Sequence, residues 1–216
     1  MLKGSVNMLD FITVNTHSSI RIEDKKIIYV DPFRITGESH DADIILITHS
    51  HFDHLSPEDI RKVMKQDTVL VSPKSVTEAD SLGLTVQKVG THETFEVGGI
   101  KMETVPAYNK LKPFHPKSKG WVGYIINSET HGRIYVAGDT DITEENRQVQ
   151  CRIAMLPIGG TYTVDAKQAA RLANILRPEY VIPVHYGSVA GKPEDADTFQ
   201  KYIESGIQVV LKVQAF

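Results

Sequence analysis

The sequence has little cysteine and little excess charge, and each scarcity excludes a class of protein. Cys151 is the single cysteine among 216 residues. One cysteine cannot form an internal disulfide or a cysteine-rich zinc module, and it is typical of a reducing compartment. The formal net charge is only -3, whereas a protein that binds nucleic acid needs a basic surface. We therefore expect no nucleic-acid partner.

Long hydrophobic runs are also scarce. The longest apolar stretches, such as residues 44–47, are far shorter than the roughly 20 residues that span a membrane as a helix. Residues 1–16 contain no basic segment followed by a long apolar run, so no signal peptide is predicted. We expect a cytoplasmic protein with no membrane partner. A length of 216 residues with 41% hydrophobic residues predicts one compact domain, residues 1–216, with a sizeable core.

The hydrophobic pattern that is present alternates short strands with a few helices. β-Branched runs and period-two alternation predict strands at residues 19–23, 27–30, 43–48, 68–71, 84–89, 94–97, 100–105, 122–127, 133–137, 153–156, 180–184 and 208–213. Helices are predicted at residues 56–65, 72–82, 164–176 and 195–205. Residues 108–120 are predicted to form a long loop that is either functional or mobile. This order predicts an α/β fold in which two sheets pack together beneath outer helices.

Four potential metal ligands follow the strand at residues 43–48: His49, His51, Asp53 and His54. Imidazole and carboxylate groups suit zinc, manganese or iron. Since side chains alternate along an extended chain, His49 and His51 point the same way, and a turn brings the other two to a second position nearby. The alternative, a polar loop of solvated histidines, is disfavoured because four such ligands end one buried strand. The motif predicts a metal site.

The spacing His-x-His-x-Asp-His after an apolar strand resembles the signature of the metallo-β-lactamase superfamily. Asp31, Asp139 and His185 lie in segments that resemble three further motifs of the superfamily. The resemblance implies a four-layer αββα sandwich. It also implies that Asp31 orients the site without necessarily binding metal, that Asp139 bridges two metal ions, and that His185 completes the second ion's shell. The sequence is similar to small metal-dependent hydrolases resembling the L-ascorbate-6-phosphate lactonases.

The third motif of the superfamily departs from its usual form in this sequence. A histidine is expected just after the strand at residues 100–105, but Asn109 stands where it would fall, and His115 follows six residues later. Three arrangements are open. His115 loops back to bind the first ion, that ion has only two histidines and the bridging aspartate, or Asn109 is a weak carbonyl ligand.

The resemblance implies two divalent ions, with zinc preferred and manganese or iron as alternatives. His49 and His51 would bind the first ion, Asp53, His54 and His185 the second. A metal-bound hydroxide would then attack an ester, lactone or phosphoester, with Asp53 as the catalytic residue that orients it or passes on a proton.

The substrate partner is expected to be a small molecule, and the oligomeric state is left open. Lysines in the loop at residues 108–120 predict an anionic group on this molecule, held at the cavity mouth. They are Lys110, Lys112, Lys117 and Lys119. A solvated basic loop is the alternative. Two other functions are weighed: a non-catalytic metal- or ligand-binding protein with the same fold, favoured by Asn109, and a di-iron redox protein, for which the chain has no second domain to bind flavin.

Two further segments have two interpretations each. His17 precedes the strand at residues 19–23 and lies either near the pocket or in a structural position. Residues 158–163 form either a loop lining the substrate pocket or a simple turn into the next helix, with Thr163 as its N-cap.

Overall fold

The computed structural model of the chain describes residues 8–215 as two seven-stranded sheets and three α-helices. The strands are β1 (Ile12–Thr16), β2 (Ile20–Glu23), β3 (Ile27–Val30), β4 (Ala42–Leu46), β5 (Met64–Pro73), β6 (Thr85–Val89), β7 (Thr94–Val97), β8 (Ile100–Pro106), β9 (Val122–Ser128), β10 (Gly132–Val136), β11 (Ile153–Pro157), β12 (Tyr180–Val184), β13 (Gln208–Val209) and β14 (Val213–Ala215). The helices are α1 (Pro57–Val63), α2 (Ala166–Leu176) and α3 (Asp195–Lys201). Residues 1–7, part of the stretch for which no signal peptide is predicted, and residue 216 lie outside the described residues.

Each sheet is mixed, and its strand order explains how distant motifs meet. The first sheet has the order β14-β1-β2-β3-β4-β5-β6, and the second β13-β12-β11-β10-β9-β8-β7. β3 and β4 are parallel, as are β10, β11 and β12. The carboxyl ends of parallel strands meet at one edge of a sheet, so residues that follow these strands are brought together.

Helices cover the outer face of both sheets, which gives the predicted four-layer αββα sandwich. Ile44 and Leu46 of β4 lie in the core between the sheets, whereas Ile45 packs outward in the cluster that contains Ile60 of α1. Burial on both faces explains why residues 44–47 are a continuous apolar run. On the other side, α2 and α3 pack against the second sheet, with Phe199 fully buried. None of the helices within residues 8–215 is long and apolar enough to cross a membrane.

Helix α2 begins later than the sequence predicts. Its N-cap is Asp165, so the prediction of Thr163 as the cap is wrong. The Asp165 carboxylate accepts a hydrogen bond from the backbone of Gln168 at 2.8 Å, and the Gln168 side chain accepts one from the backbone of Asp165 at 3.1 Å. This reciprocal capping satisfies two N–H groups that the first helical turn leaves unpaired.

The helix predicted at residues 72–82 is wrong. β5 continues to Pro73, and only Glu78–Leu82 forms a short 3-10 helix. Parallel pairing of β5 with β6 extends as far as Pro73 and Val89, so a contact distant in sequence holds Ser72 and Pro73 extended. Two smaller differences concern the ends of the chain. β1 was not predicted, and the strand predicted at residues 208–213 is divided between β13 in one sheet and β14 in the other.

Candidate metal centre

Three histidines form the first group of potential ligands. Ligand atoms of His49, His51 and His115 all lie within 4.8 Å of one another. His49 Nε2 is 3.1 Å from His51 Nδ1. His115 is buried although it belongs to the loop at residues 108–120, because this loop folds back over the end of the sandwich. The loop therefore supplies the third histidine that the motif at position 109 lacks.

A second group lies beside the first and contains His17, Asp53, His54 and His185, with ligand atoms again within 4.8 Å of one another. Asp53 Oδ2 is 3.7 Å from His54 Nε2 and 3.8 Å from His185 Nε2. His17 Nε2 donates a hydrogen bond to Asp53 at 3.1 Å, and the His17 ring lies 3.8 Å from that of His185. Of the two interpretations of His17, the structure supports the one at the pocket.

Asp139 lies between the two groups. Its Oδ2 atom is 3.2 Å from His115 Nε2 in the first group and 2.9 Å from His185 Nε2 in the second. Its Oδ1 atom is 3.3 Å from His54 Nε2. A single carboxylate can therefore reach ligand positions on both sides.

Asp31 holds His54 in place directly and His49 through Thr48. The Asp31 carboxylate accepts hydrogen bonds from the Thr48 backbone at 2.8 Å and the Thr48 hydroxyl at 2.6 Å, and it lies 2.7 Å from His54 Nδ1. The Thr48 hydroxyl in turn lies 2.9 Å from His49 Nδ1. Both imidazoles thus use Nδ1 for these contacts and direct Nε2 into the site, an arrangement usual for metal-binding histidines.

The side chain of Asn109 forms hydrogen bonds with neighbouring residues and is not positioned as a metal ligand. Its side-chain oxygen accepts hydrogen bonds from the backbone N–H of His115 at 3.1 Å and from His115 Nδ1 at 3.0 Å. Its amide nitrogen donates to the carbonyl oxygen of Tyr162 at 2.9 Å and to Asp141 at 3.3 Å. Asn109 therefore orients His115, whose Nε2 faces Asp139.

Burial and neighbouring charges set the protonation of the site. Burial lowers the pKa of His49 well below its ordinary value and that of His17 to about 4, which keeps both imidazoles neutral. Burial opposes ionisation of Asp53, but the hydrogen bond from His17 and the nearby His54 lower its pKa to about 2. Burial of His54 lowers its pKa, but the negative charges of Asp139 and, to a smaller extent, Asp31 outweigh burial and raise it. Metal binding at His54 Nε2 would displace that proton.

Unpaired polar atoms test whether these residues fit a metal ion. His54 Nε2, His115 Nε2, His185 Nε2 and Asp139 Oδ1 are buried and form no hydrogen bond of good geometry, although Asp139 oxygens lie 2.9–3.3 Å from the three nitrogens. Each such atom costs about 1–3 kcal/mol when nothing compensates its lost hydration. The three nitrogens belong to the two groups described above and Asp139 lies between these groups, and nitrogen and carboxylate oxygen are ligands of zinc and iron. The residues fit a metal centre.

Comparison with known proteins agrees with this geometry. Residues 11–185 match the sequence model of the beta-lactamase superfamily domain. The chain belongs to this superfamily. A UPF0173 metal-dependent hydrolase of Methanopyrus kandleri is 29% identical over 213 residues, covering 89% of this chain and 91% of the relative. A second, from Geobacillus, is 30% identical over 227 residues, covering 93% and 96%.

Solved structures extend the comparison to the fold. One similar structure is that of a protein from Parabacteroides distasonis described as a metal-dependent hydrolase. The two sequences are 33% identical, the TM-score is 0.79, and the match covers 94% of this chain and 93% of the other. Igni18, a metallo hydrolase of Ignicoccus hospitalis, is 23% identical with a TM-score of 0.73, covering 94% and 95%, and shares the fold. Because its relatives are metal-dependent hydrolases, the chain is one as well, as its motifs predict. The narrower resemblance to lactonases stays a prediction.

The metal-dependent hydrolase has a cavity of about 240 Å³ over the two ligand groups. Its lining combines site residues with apolar side chains: His51, Asp53, His115, Asp139 and His185, and Phe52, Phe114, Tyr162 and Val189. The loop at residues 158–163 thus reaches the pocket through Tyr162, as one of its two interpretations predicts. The apolar lining was not predicted, although an exposed phenylalanine inside the ligand motif, Phe52, was a signal for it.

The lysines of the loop do not reach the cavity, so their predicted position at its mouth is wrong. Lys112 pairs with Asp141, Lys117 Nζ lies 2.7 Å from a Glu145 oxygen, and Lys110 Nζ lies 3.7 Å from Glu144. Among the described residues that line the cavity there is no lysine or arginine. Acidic neighbours pair with Lys110, Lys112 and Lys117, whereas the position of these lysines in sequence beside His115 suggested a place at the cavity.

Proposed function

We propose that the protein uses metal-activated water to hydrolyse an ester, lactone or phosphoester bond of a small molecule. The observation that carries this proposal is the position of Asp139, 3.2 Å from His115 Nε2 and 2.9 Å from His185 Nε2. A carboxylate within reach of two groups of buried imidazoles is the arrangement that two ions sharing one ligand require. An open cavity of substrate size adjoins it.

Two divalent ions, preferably zinc, would be held by residues of both groups. His49, His51 and His115 would bind one ion, and Asp53, His54 and His185 the other, with Asp139 shared. When bound, such ions lower the pKa of a coordinated water towards about 7 and polarise a substrate oxygen. Manganese or iron are alternatives that the same nitrogen and oxygen ligands accept.

Asp53 is the proposed catalytic residue, and its surroundings favour orienting water over donating a proton. Its carboxylate lines the cavity and is held by the hydrogen bond from His17 at 3.1 Å. Its pKa of about 2, lowered against burial by His17 and His54, keeps it ionised at neutral pH. Because an effective general acid or base has a pKa near the working pH, the ionised Asp53 is better suited to align a water molecule by accepting a hydrogen bond than to transfer a proton.

The proposal retains the small substrate of the sequence prediction but not a lysine-bound anionic group, since the lysines are paired elsewhere. Asn109, which raised the possibility of a protein that had lost its catalytic metal, instead supports His115 through two hydrogen bonds.

Metal titration and a substrate screen test the proposal. Metal-free protein is titrated with zinc, manganese or ferrous ions, and the loaded protein is then assayed on carboxylic esters, lactones and phosphodiesters. We expect two equivalents of metal, and loss of hydrolysis in Asp139→Asn and His185→Ala. His131→Ala is the matched control, because the His131 ring stacks on Phe11 at 3.5 Å, outside the site.

Each contrary outcome has a meaning. Full activity with one equivalent of metal would overturn the two-ion assignment. Metal binding without hydrolysis of any ester class would favour a binding protein, and oxygen consumption by an iron-loaded sample would favour redox chemistry.

A further inference from the structure

The cavity above the metal centre is polar at its floor and apolar at its walls. Phe52, Phe114, Tyr162 and Val189 come from separate loops and all line it. Phe52 is 67% exposed, Phe114 41% and Tyr162 37%. Large apolar side chains that stay exposed beside a polar floor are typical of ligand pockets, where a few polar groups fix the reacting end and apolar groups hold the rest.

Two of these aromatic side chains are held in place before any ligand binds. The Phe114 and Tyr162 rings pack edge to face, with centroids 4.8 Å apart. The two loops that carry them are joined by the hydrogen bond from Asn109 to the Tyr162 carbonyl oxygen at 2.9 Å, and by one from Lys112 to the Thr163 carbonyl oxygen at 2.7 Å. Because their loops are already fixed, these rings lose little conformational freedom on binding.

Phe52 has support of its own on the other loop. Its ring packs edge to face against Phe33, with centroids 6.0 Å apart, and Phe33 is buried. Phe52 lies in the ligand motif between His51 and Asp53, so this apolar wall adjoins the reacting end of the cavity directly.

The volume of the cavity and the charges of its lining residues limit which substrates fit. A dry cavity of about 150 Å³ accommodates benzene, so a volume of about 240 Å³ has room for one ring and a short ester arm. Since no lysine or arginine is among the described lining residues, the walls offer no partner for a charge on the ring. A charged group there would lose hydration without compensation.

From these observations, and resting on the proposed hydrolysis, we propose that the substrate is a neutral carboxylic ester or lactone bearing a single aromatic or similarly flat apolar ring. The ring occupies the walls formed by Phe52, Phe114 and Tyr162, and the carbonyl lies at the floor beside His51 and Asp139. In the reaction, water oxygen bonds to the acyl carbon and the acyl carbon–oxygen bond breaks. One proton of the water goes to the leaving alkoxide and the other leaves the resulting carboxylic acid.

Matched esters test the ring and its charge separately. The zinc-loaded protein is assayed on benzyl acetate, ethyl acetate and 4-carboxybenzyl acetate, which share an acetyl group and have alcohol leaving groups of similar reactivity. Burial of one ring predicts a kcat/KM for benzyl acetate about 10–100 times that for ethyl acetate. The carboxylated ester is expected to fall back towards the ethyl value.

Variants assign the preference to the walls. Phe114→Ala and Tyr162→Ala are each expected to lower the ratio of kcat/KM for benzyl acetate to kcat/KM for ethyl acetate about tenfold. Leu111→Ala is the control, because Leu111 lies on the same loop, is 97% exposed and does not line the cavity. Circular dichroism and thermal unfolding verify that each variant folds.

A binding measurement without any reaction tests the ring site independently of the proposed hydrolysis. Saturation-transfer NMR with benzyl alcohol measures ring binding without any reaction. If no ester is hydrolysed but benzyl alcohol binds and Phe114→Ala abolishes the binding, the hydrolytic proposal fails and the ring site stands. Equal turnover of benzyl and ethyl esters overturns the ring site, as does benzyl alcohol binding unaffected by Phe114→Ala. Preference for the carboxylated ester overturns the neutral substrate.

Discussion

Removal of the Asn109 side chain should weaken metal binding although Asn109 is not a ligand. In Asn109→Ala, His115 loses the acceptor that holds its Nδ1 atom at 3.0 Å and its backbone N–H at 3.1 Å. The imidazole is then free to rotate, and the tautomer that presents Nε2 is no longer favoured. Loss of such a supporting contact usually weakens metal affinity about 10–100-fold, which corresponds to about 1.4–2.7 kcal/mol.

Fluorescence of the single tryptophan provides the assay. The Trp121 ring lies 4.9 Å from those of His49 and His51 and 5.6 Å from that of His115. Zinc binding to the metal-free protein, titrated against a competing chelator, should therefore change its emission. The dissociation constants of wild type, Asn109→Ala and Asn109→Asp are compared. Asn109→Asp keeps an acceptor for His115 and should retain more affinity than Asn109→Ala, although its charge is repelled by Asp141.

A matched control separates this effect from the general loss of an asparagine. Asn127 also donates through its amide, to the Lys101 carbonyl oxygen at 3.2 Å, and accepts from Arg133 at 2.8 Å, but it lies on β9 outside the site. Asn127→Ala should leave zinc affinity unchanged. If Asn109→Ala binds zinc as tightly as Asn127→Ala does, the assigned role of Asn109 is refuted.

Two further predictions concern the backbone that supports the site. A Cβ on Gly159 would lie 2.3 Å from the His185 carbonyl oxygen, so Gly159→Ala should displace His185, cost about 1–3 kcal/mol of stability and weaken zinc binding. Gly90→Ala, whose Cβ would meet the flexible ends of Glu93 at 2.6 Å and Lys74 at 3.3 Å, should change neither thermal unfolding nor affinity. Asp59 accepts hydrogen bonds from the Arg34 and Ile35 backbone at 2.9 Å each, and despite burial its hydrogen bonds lower its pKa. A lowered folded pKa stabilises the protein above the unfolded value, about 3.9, and the benefit disappears as the pH falls through the folded pKa. Asp59→Asn should thus destabilise metal-free protein by about 1–3 kcal/mol at pH 7 and by less at pH 3, measured by urea unfolding; an equal loss at both pH values would contradict this account.

Features set by neighbouring residues could be predicted from the sequence. The hairpin of β7 and β8 follows from Gly98 and Gly99, which both adopt positive φ angles between two alternating runs. β1 could also have been predicted from local pattern, because residues 12–16 alternate along the chain and occupy buried and partly buried positions in turn. The start of the segment at residues 72–82 could not be assigned this way, because Ser72 and Pro73 are extended through the pairing of β5 with β6, a contact distant in sequence.

Some residues of the candidate site could be predicted from the sequence, and others could not. His49, His51, Asp53 and His54 could be recognised because they lie close together in sequence, and Asp31, Asp139 and His185 because their segments resemble motifs of the superfamily. The position of His17 depends on a contact with Asp53, 36 residues away, and no local pattern specifies it. The same holds for Phe114 and Tyr162, which meet only after two loops have folded against each other.

The departure at position 109 shows why a missing ligand need not mean a missing metal. The sequence left three arrangements open, and the structure places His115 in the site with Asn109 behind it, each dependent on the other. Restoring the superfamily's usual residue should therefore not strengthen the site. Asn109→His would remove the oxygen on which His115 relies and bring a bulkier ring against the backbone of Tyr162, which now lies 2.9 Å from the Asn109 amide. We expect Asn109→His to bind zinc no more tightly than Asn109→Ala, whereas the combined change Asn109→His with His115→Ala should bind more tightly than His115→Ala alone. Tighter binding by Asn109→His than by wild type, in the same fluorescence titration, would mean that the loop has merely lost a ligand and that His115 is an incomplete replacement.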